Sequence, residues 1–444
     1  MDRDKSTLTA LEAADHIANG DMSAEEYTAA CLERIAAIDE TVHAFVHLDP
    51  DAALAQARVL DERRRNGFSI GPLHGVPVAI KDIFDTADYK TEYGSSLFKG
   101  RQPMRDSTVA ARLRAAGAVI IGKTVSTEFA YFTPGPTRNP HDLERTPGGS
   151  SSGSAAAVAA GMVPLAVGSQ TNGSMIRPAS FCGVYGCKPS HGMISRHGAL
   201  TLSKVLDHVG VFARSLADTA LILETLAGFD PDDSDTVPVA SPAFLELTAA
   251  QPPLPPRFAF VRTPVWDKAE VSTRAAFEAF ATSLGDCVAQ IDLPESYAAA
   301  WDDQRVVMAA DMAHNLNPLL KRGGDLLSKQ LRDLMAEGRD VPAVRYLAAR
   351  NNARGYAAGI GKLFEEYDAI ITPATVGVAP VGEATGNPVF CSLWSLTGLP
   401  ALTLPLLSGE SGLPLGVQLI GAARDDGRLL RTANWLVGRV SELV

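Results

Sequence analysis

Several things are missing from this chain, and each absence closes off a class of function. No apolar run is long enough to cross a bilayer, so no membrane span is expected. No basic stripe is present either. The 40 Lys and Arg residues stand against 51 Asp and Glu, a net charge of −11, which argues against nucleic acid as the main partner. The run Asp61-Glu62-Arg63-Arg64-Arg65 is too short and too mixed in sign to change that, and reads as a solvated helix end. Cysteine is scarce. The five present (Cys31, Cys182, Cys187, Cys287, Cys391) are scattered and lack the paired spacing of a metal site. They read as reduced, mostly buried thiols suited to a cytoplasmic protein, and nothing in the sequence calls for a metal or a cofactor. The charged start Met1-Asp2-Arg3-Asp4-Lys5 leads straight into a helical pattern, so no signal peptide is expected. Histidine runs out early: the last one is His314.

What is present is ordinary globular material, 46% hydrophobic and 20% charged over 444 residues. That length alone favours two or three domains. The order of elements argues otherwise, because strands and helices alternate from end to end with no Pro/Gly-rich linker between halves. Val76 to Lys81, a helix from Thr108 to Ala116, and Ala118 to Ile121 make a strand–helix–strand unit, hence a parallel pair. Phe258 to Val261 and Val288 to Leu293 flank a helix near 270–285. Ala401 to Leu406 and Leu415 to Ile420 read as a hairpin. Asp230 to Pro256 reads as an exposed connection, and residues 297–365 as mostly helical. The expectation is one large α/β domain over 1–444, with a central mixed β-sheet covered by helices.

The chemistry is concentrated in TPGGSSSGSAAAVAAGMVPLAVGSQTNGSMIRPAS, from Thr146 to Ser180. Two serine- and glycine-rich clusters flank an Ala-rich helix, Ser154 to Ala160, and a buried strand, Val163 to Val167. Three readings compete. Gly/Ser loops often merely turn corners. Gly149-Ser150-Ser151-Ser152-Gly153 matches the G-x-S-x-G nucleophile elbow, but Glu144-Arg145-Thr146-Pro147 is no preceding strand and no late histidine is available as base. The third is a serine activated by a lysine whose pKa burial has brought down. Lys81 ends an apolar strand and fits that role. An exposed lysine paired to Asp82 or Asp85 fits the sequence better still, and Lys123 occupies an equivalent position.

Gly75-Val76-Pro77-Val78-Ala79-Ile80-Lys81-Asp82, Pro147-Gly148-Gly149-Ser150-Ser151 and Gly173-Ser174 with Arg177-Pro178-Ala179 resemble the amidase signature family of serine hydrolases. The resemblance extends through Thr137-Arg138-Asn139-Pro140, Cys187-Lys188-Pro189 and Gly412-Leu413-Pro414-Leu415-Gly416-Val417-Gln418-Leu419-Ile420-Gly421, so it covers nearly the whole chain. It implies a signature core at about 71–200, a variable pocket region at about 297–365, and a Ser–cisSer–Lys triad. Ser174 would be the nucleophile, Ser150 the bridging serine after a cis Gly149–Ser150 bond, and Lys81 the general base. Backbone N–H groups of Thr171, Asn172, Gly173 and Ser174 would form the oxyanion hole.

The pattern has departures. Many members carry Asp where this chain has Gln170, and Gly where it has Asn172. The arginine is three residues after the nucleophile, at Arg177, rather than two. That arrangement resembles the malonamidase-like branch, in which an arginine here is associated with a substrate carboxylate; a second reading has Arg177 bracing the loop. Gly149, Gln170 and Tyr131 complete the expected substrate contacts, with Phe132 beside Tyr131. The resemblance implies hydrolysis of the C–N bond of a small amide through an acyl-enzyme, and a homodimer. The alternatives are the A-subunit of a tRNA-dependent amidotransferase and a carboxylated-urea hydrolase.

Overall fold

Val78, Ala79, Ile80 and Lys81 have no accessible surface, and a run buried on both faces is what a central parallel strand requires. In the computed structural model, which describes residues 4–442 except Ser241, this run is the third strand from one edge of an 11-stranded sheet. Met1, Asp2 and Arg3, on which the signal-peptide reading partly rests, lie outside the described residues. The strands are β1 (Phe45–Leu48), β2 (Pro77–Lys81), β3 (Val119–Thr124), β4 (Leu165–Gln170), β5 (Tyr185–Lys188) and β6 (His208–Ala213). They continue as β7 (Phe258–Arg262), β8 (Val288–Asp292), β9 (Ala369–Pro373), β10 (Ala401–Ser408) and β11 (Pro414–Ile420).

Their spatial order is β1-β3-β2-β4-β6-β5-β10-β11-β9-β7-β8. The sheet is mixed. β2 runs parallel to both β3 and β4, and β7 parallel to β8 and β9, whereas the β10–β11 hairpin is antiparallel. The parallel β2–β3 pair, its intervening helix Thr108–Ala115 and the hairpin all follow the sequence expectation. Pro77 sits at the first residue of β2, where its missing N–H does least harm. Among the described residues no helix is long and apolar enough to cross a membrane.

The Ala-rich helix Ser152–Ala159 is buried from Ser152 to Val158. Small residues let it lie close against the sheet: a Cβ on Gly153 would stand 2.2 Å from the Ala44 carbonyl oxygen. Its hydroxyls are absorbed locally, Ser154 Oγ donating to the Val167 carbonyl at 2.9 Å. Because β2, β3 and β4 are parallel, Lys81, Thr124 and Gln170 all end at the same sheet edge. That carboxyl edge is where open α/β sheets place their ligands.

Two strands, β5 and β6, and three short helices, Ile176–Cys182, Phe244–Ala249 and Ser392–Leu396, are additional to the sequence reading. β5 is only four residues, YGCK, and β6 pairs with β4 and β5 rather than with a neighbour joined by a tight turn. The short helix Ile176–Cys182 starts two residues after Ser174 with Pro178 in its first turn. Asp230 to Pro256 is not simply an exposed connection. Asp230 and Asp233 are buried and anchored to Ser195 and Arg196, and Phe244–Ala249 is a helix. Helices Ala300–Asn315, Lys329–Asp340 and Ala343–Gly361 make residues 297–365 helical as expected.

Candidate active site

Apolar β2 carries Lys81 into the interior. Its Nζ lies 2.7 Å from Ser150 Oγ and 2.9 Å from Ser169 Oγ. Loss of hydration disfavours the ammonium, so burial pushes the Lys81 pKa well below its usual value, against a weaker opposing pull from Asp207. A neutral amine there can take a proton from one hydroxyl while donating to the other.

Lys123 is equally buried and is wired differently. Its Nζ is 3.4 Å from Asp82 Oδ1 and donates to Thr91 Oγ1 at 2.6 Å and to the Phe84 carbonyl at 2.8 Å. Its pKa is lowered only to about 8, burial being opposed by Asp82. Asp85 is bound by Arg101 at 2.6 Å. The two acids that offered Lys81 an exposed ion pair are thus engaged elsewhere, and Lys81 is fully buried.

The first serine loop divides its hydroxyls between scaffold and chemistry. Ser151 Oγ donates to the Ser169 carbonyl at 3.1 Å and accepts from the Ser169 N–H at 3.2 Å, tying the two serine loops together. Ser152 Oγ donates to the Val125 carbonyl at 3.3 Å. Ser150 alone of the three faces the lysine, and the Gly149–Ser150 bond is cis as the resemblance implied.

The second loop, Thr171 to Ser174, is held from all sides. Gln170 Oε1 accepts from the N–H groups of Met175 (2.8 Å) and Ile176 (3.1 Å), and its Nε2 donates to Ser395 Oγ at 3.0 Å. The Gln170 side chain, expected against substrate, therefore braces the backbone that follows Ser174. Asn172 Oδ1 accepts from Ser392 Oγ at 2.8 Å and its Nδ2 donates to Gln304 Oε1 at 3.3 Å. A Cβ on Gly173 would stand 2.9 Å from Pro388 Cβ, so only a bare backbone fits. Thr171 Oγ1 donates to Asp207 Oδ1 at 2.6 Å, and Asp207 Oδ2 accepts from the N–H groups of Leu202 and Ser203 at 2.8 and 2.9 Å.

Asp207, Ser169, Gln304, Ser392 and Ser395 were not among the expected site residues. Ser169 lies on the strand just before the turn, whereas Asp207, Gln304, Ser392 and Ser395 come from distant segments that no spacing rule connects to Ser174. Burial raises the Asp207 pKa to about 6, partly offset by the Thr171 hydroxyl. Between pH ~4 and 6 the folded state then holds a proton that the unfolded chain has lost, so this carboxyl's contribution to stability falls as pH rises through that window. Asp207→Ala would orphan three donors. Denaturant unfolding at pH 7.5 is expected to show a loss of about 2–4 kcal/mol; a change below about 0.5 kcal/mol would remove Asp207 from the scaffold of the turn.

Ser174, 8% exposed, borders a narrow cleft with Tyr131, Phe132, Met308, Met312 and Arg177. Arg177 Nη2 donates to the Gly149 carbonyl at 2.6 Å and lies 3.4 Å from Thr385 Oγ1, whereas Nε and Nη1 are buried without a partner. Its guanidinium sits 5.7 Å from the Phe132 ring centroid. Burial depresses its pKa to about 10. A buried cation with two unused donors favours an anion in that cleft. Gly149 contributes its carbonyl to holding this arginine, and Tyr131 packs edge-on against Phe132 at 4.9 Å.

The Amidase family model matches residues 26–430. The chain is 37% identical to the A-subunit of the glutamyl-tRNA(Gln) amidotransferase of Chloroflexus aurantiacus, over 96% of this chain and 95% of that one. Its fold matches a protein from a vestigial complex bearing on the origins of an s-triazine catabolic enzyme (TM-score 0.90, 32% identity, 97% of this chain and 98% of that one). It also matches the peptide amidase of Stenotrophomonas maltophilia (TM-score 0.87, 30% identity, 98% and 97% covered).

Proposed function

The chain belongs to the amidase family and acts on carbon–nitrogen bonds, and from that premise we propose that it hydrolyses a small amide bearing a carboxylate through a Ser–Ser–Lys triad. Neutral Lys81 accepts the Ser150 proton as Ser150 accepts that of Ser174. The Ser174 oxygen then attacks the amide carbon. Backbone N–H groups of Thr171 to Ser174 receive the developing oxyanion. The proton returns through Ser150 to the leaving nitrogen, the amine departs, and water attacks the acyl-enzyme by the same relay. The observation that carries this reading is the 2.7 Å contact between a fully buried Lys81 Nζ and Ser150 Oγ.

Arg177 selects the acyl half in this proposal, its unused Nε and Nη1 meeting the carboxylate. The test compares malonamate with an uncharged amide of equal length. Arg177→Met is expected to lower kcat/KM for malonamate about 100-fold more than for the uncharged amide, the scale of a lost charge-assisted pair. Equal losses on both substrates would return Arg177 to a bracing role.

A second reading, the amidotransferase A-subunit, is favoured by the 37% identity across 96% of the chain. Glutamine is itself an amide with a carboxylate, so Arg177 suits it too. The net acidic charge does not exclude a tRNA-linked role of the kind the relative's name carries. Glutaminase activity that appears only with two copurifying proteins would establish this reading over the stand-alone one. The homodimer and the cytoplasmic location belong to the stand-alone proposal.

A further inference from the structure

Two hollows meet beside the catalytic turn. The smaller, of about 20 Å³, is bordered by Ser174 and Arg177. The larger, of about 210 Å³, is walled by Ser169, Thr171, Asp207, Phe84, Leu200 and Val209. Ala130, Thr171 and Leu202 border both, so the two are immediate neighbours. Resting on the amidase reading, we propose that the larger hollow is the subsite for the leaving amine and that the physiological substrate is an N-substituted amide.

Amide cleavage divides its substrate in two. The acyl half stays on the Ser174 oxygen; the C–N bond breaks as the nitrogen takes a proton and keeps the bonding pair. That proton comes from the Lys81–Ser150 side, so the nitrogen half must lie there. Ser169 marks that side, its Oγ being 2.9 Å from Lys81 Nζ. Arg177, with its spare donors, lies in the other hollow. Ammonia needs about the 10–15 Å³ of cavity that one water takes, a small part of the about 210 Å³ on the lysine side.

The walls also indicate the chemical class. Ile83, Phe84, Leu200 and Val209 give the hollow an apolar face. Part of its charge is already matched: Arg196 pairs with Asp233 and Asp235 at 2.6 Å each, and Asp207 accepts three hydrogen bonds, while Lys204 and Asp232 stand at its border. Among the described residues of this wall, one buried side-chain polar atom lacks a partner. His208 Nδ1 lies 2.7 Å from the Leu206 carbonyl, which can only accept, so Nδ1 carries the proton and the buried, unpartnered Nε2 is a lone pair. An alkyl- or arylamine with one hydrogen-bond donor fits this wall.

The test uses the full chain and amides of one carboxylated acid: primary, N-propyl and N-(3-hydroxypropyl). Burying a propyl group is expected to raise kcat/KM about tenfold over the primary amide, with the hydroxypropyl amide higher still. Ala199→Phe and Thr201→Trp, which fill the hollow, should each cut the substituted-to-primary ratio by about tenfold. In wild type, added 3-aminopropanol should capture the acyl-enzyme formed from the primary amide, its nitrogen bonding to the acyl carbon as the Ser174 oxygen leaves with a proton. A primary amide preferred throughout, with no capture, would overturn the proposal and make the hollow a passage for ammonia. If no amide turns over and Ser174 resists serine-directed probes, the amidase reading itself has failed.

Discussion

Ser174→Ala is expected to lower kcat by roughly 10⁵- to 10⁶-fold, the scale seen when a serine hydrolase loses its nucleophile. Every other group in the proposed mechanism moves protons or stabilises charge; only this oxygen forms the bond to the acyl carbon. The remaining acceleration would come from oriented N–H groups and binding. Stability should change by less than about 1 kcal/mol, because the scaffold around the turn is carried by other residues. Gln170 holds the N–H groups of Met175 and Ile176, Asp207 holds Thr171, and Ser392 holds Asn172. Two measurements decide the matter: amine release under saturating substrate, and labelling by a fluorophosphonate probe identified by peptide mapping. Labelling that persists in Ser174→Ala, or activity within tenfold of wild type, would assign the nucleophile elsewhere.

How far the sequence could reach is visible in the lysines. Val76 to Ile80 and Ala118 to Ile121 both announce buried strands, and both deliver a lysine to the same sheet edge. Local pattern carries no more than that. What separates Lys81 from Lys123 is the partner each meets in space: Ser150 and Ser169 for one, Asp82 and Thr91 for the other. Gln170 gives the same lesson in reverse. A polar residue four positions before the nucleophile is naturally placed against substrate, but its amide is consumed by the two N–H groups that follow the turn. β5 and β6 are illegible for another reason. Their stability comes from β4 and β10, strands far off in the chain, whereas the β10–β11 hairpin and the Ser23–Glu26 capping box are written locally. The proposed triad positions come from family resemblance alone; the cage around Thr171 and Asn172 depends on Asp207, Gln304 and Ser392, which nothing short-range connects to them.

The second large effect is a contrast between those lysines. Lys81→Met should lower kcat about 10³- to 10⁴-fold by removing the proton acceptor and should raise Tm. Lys81 has a depressed pKa in the folded state, so below the unfolded value near ~10.4 the unfolded chain binds the extra proton. Stability therefore rises with pH through that window in wild type, and the neutral methionine removes the penalty present at pH 7. Activity has the same sign: kcat/KM climbs as Lys81 deprotonates, and the surviving rate in Lys81→Met should lose that limb. Lys123→Met runs the other way. It strands Asp82, 1% exposed, without its cation, and breaking such a buried pair costs about 3–5 kcal/mol, while the folded fraction keeps its pH limb. Thermal melts and pH–rate profiles on both variants separate the two roles. If Lys123→Met shows the larger fall in kcat per folded molecule, or Lys81→Met melts earlier than wild type, the base has been assigned to the wrong strand.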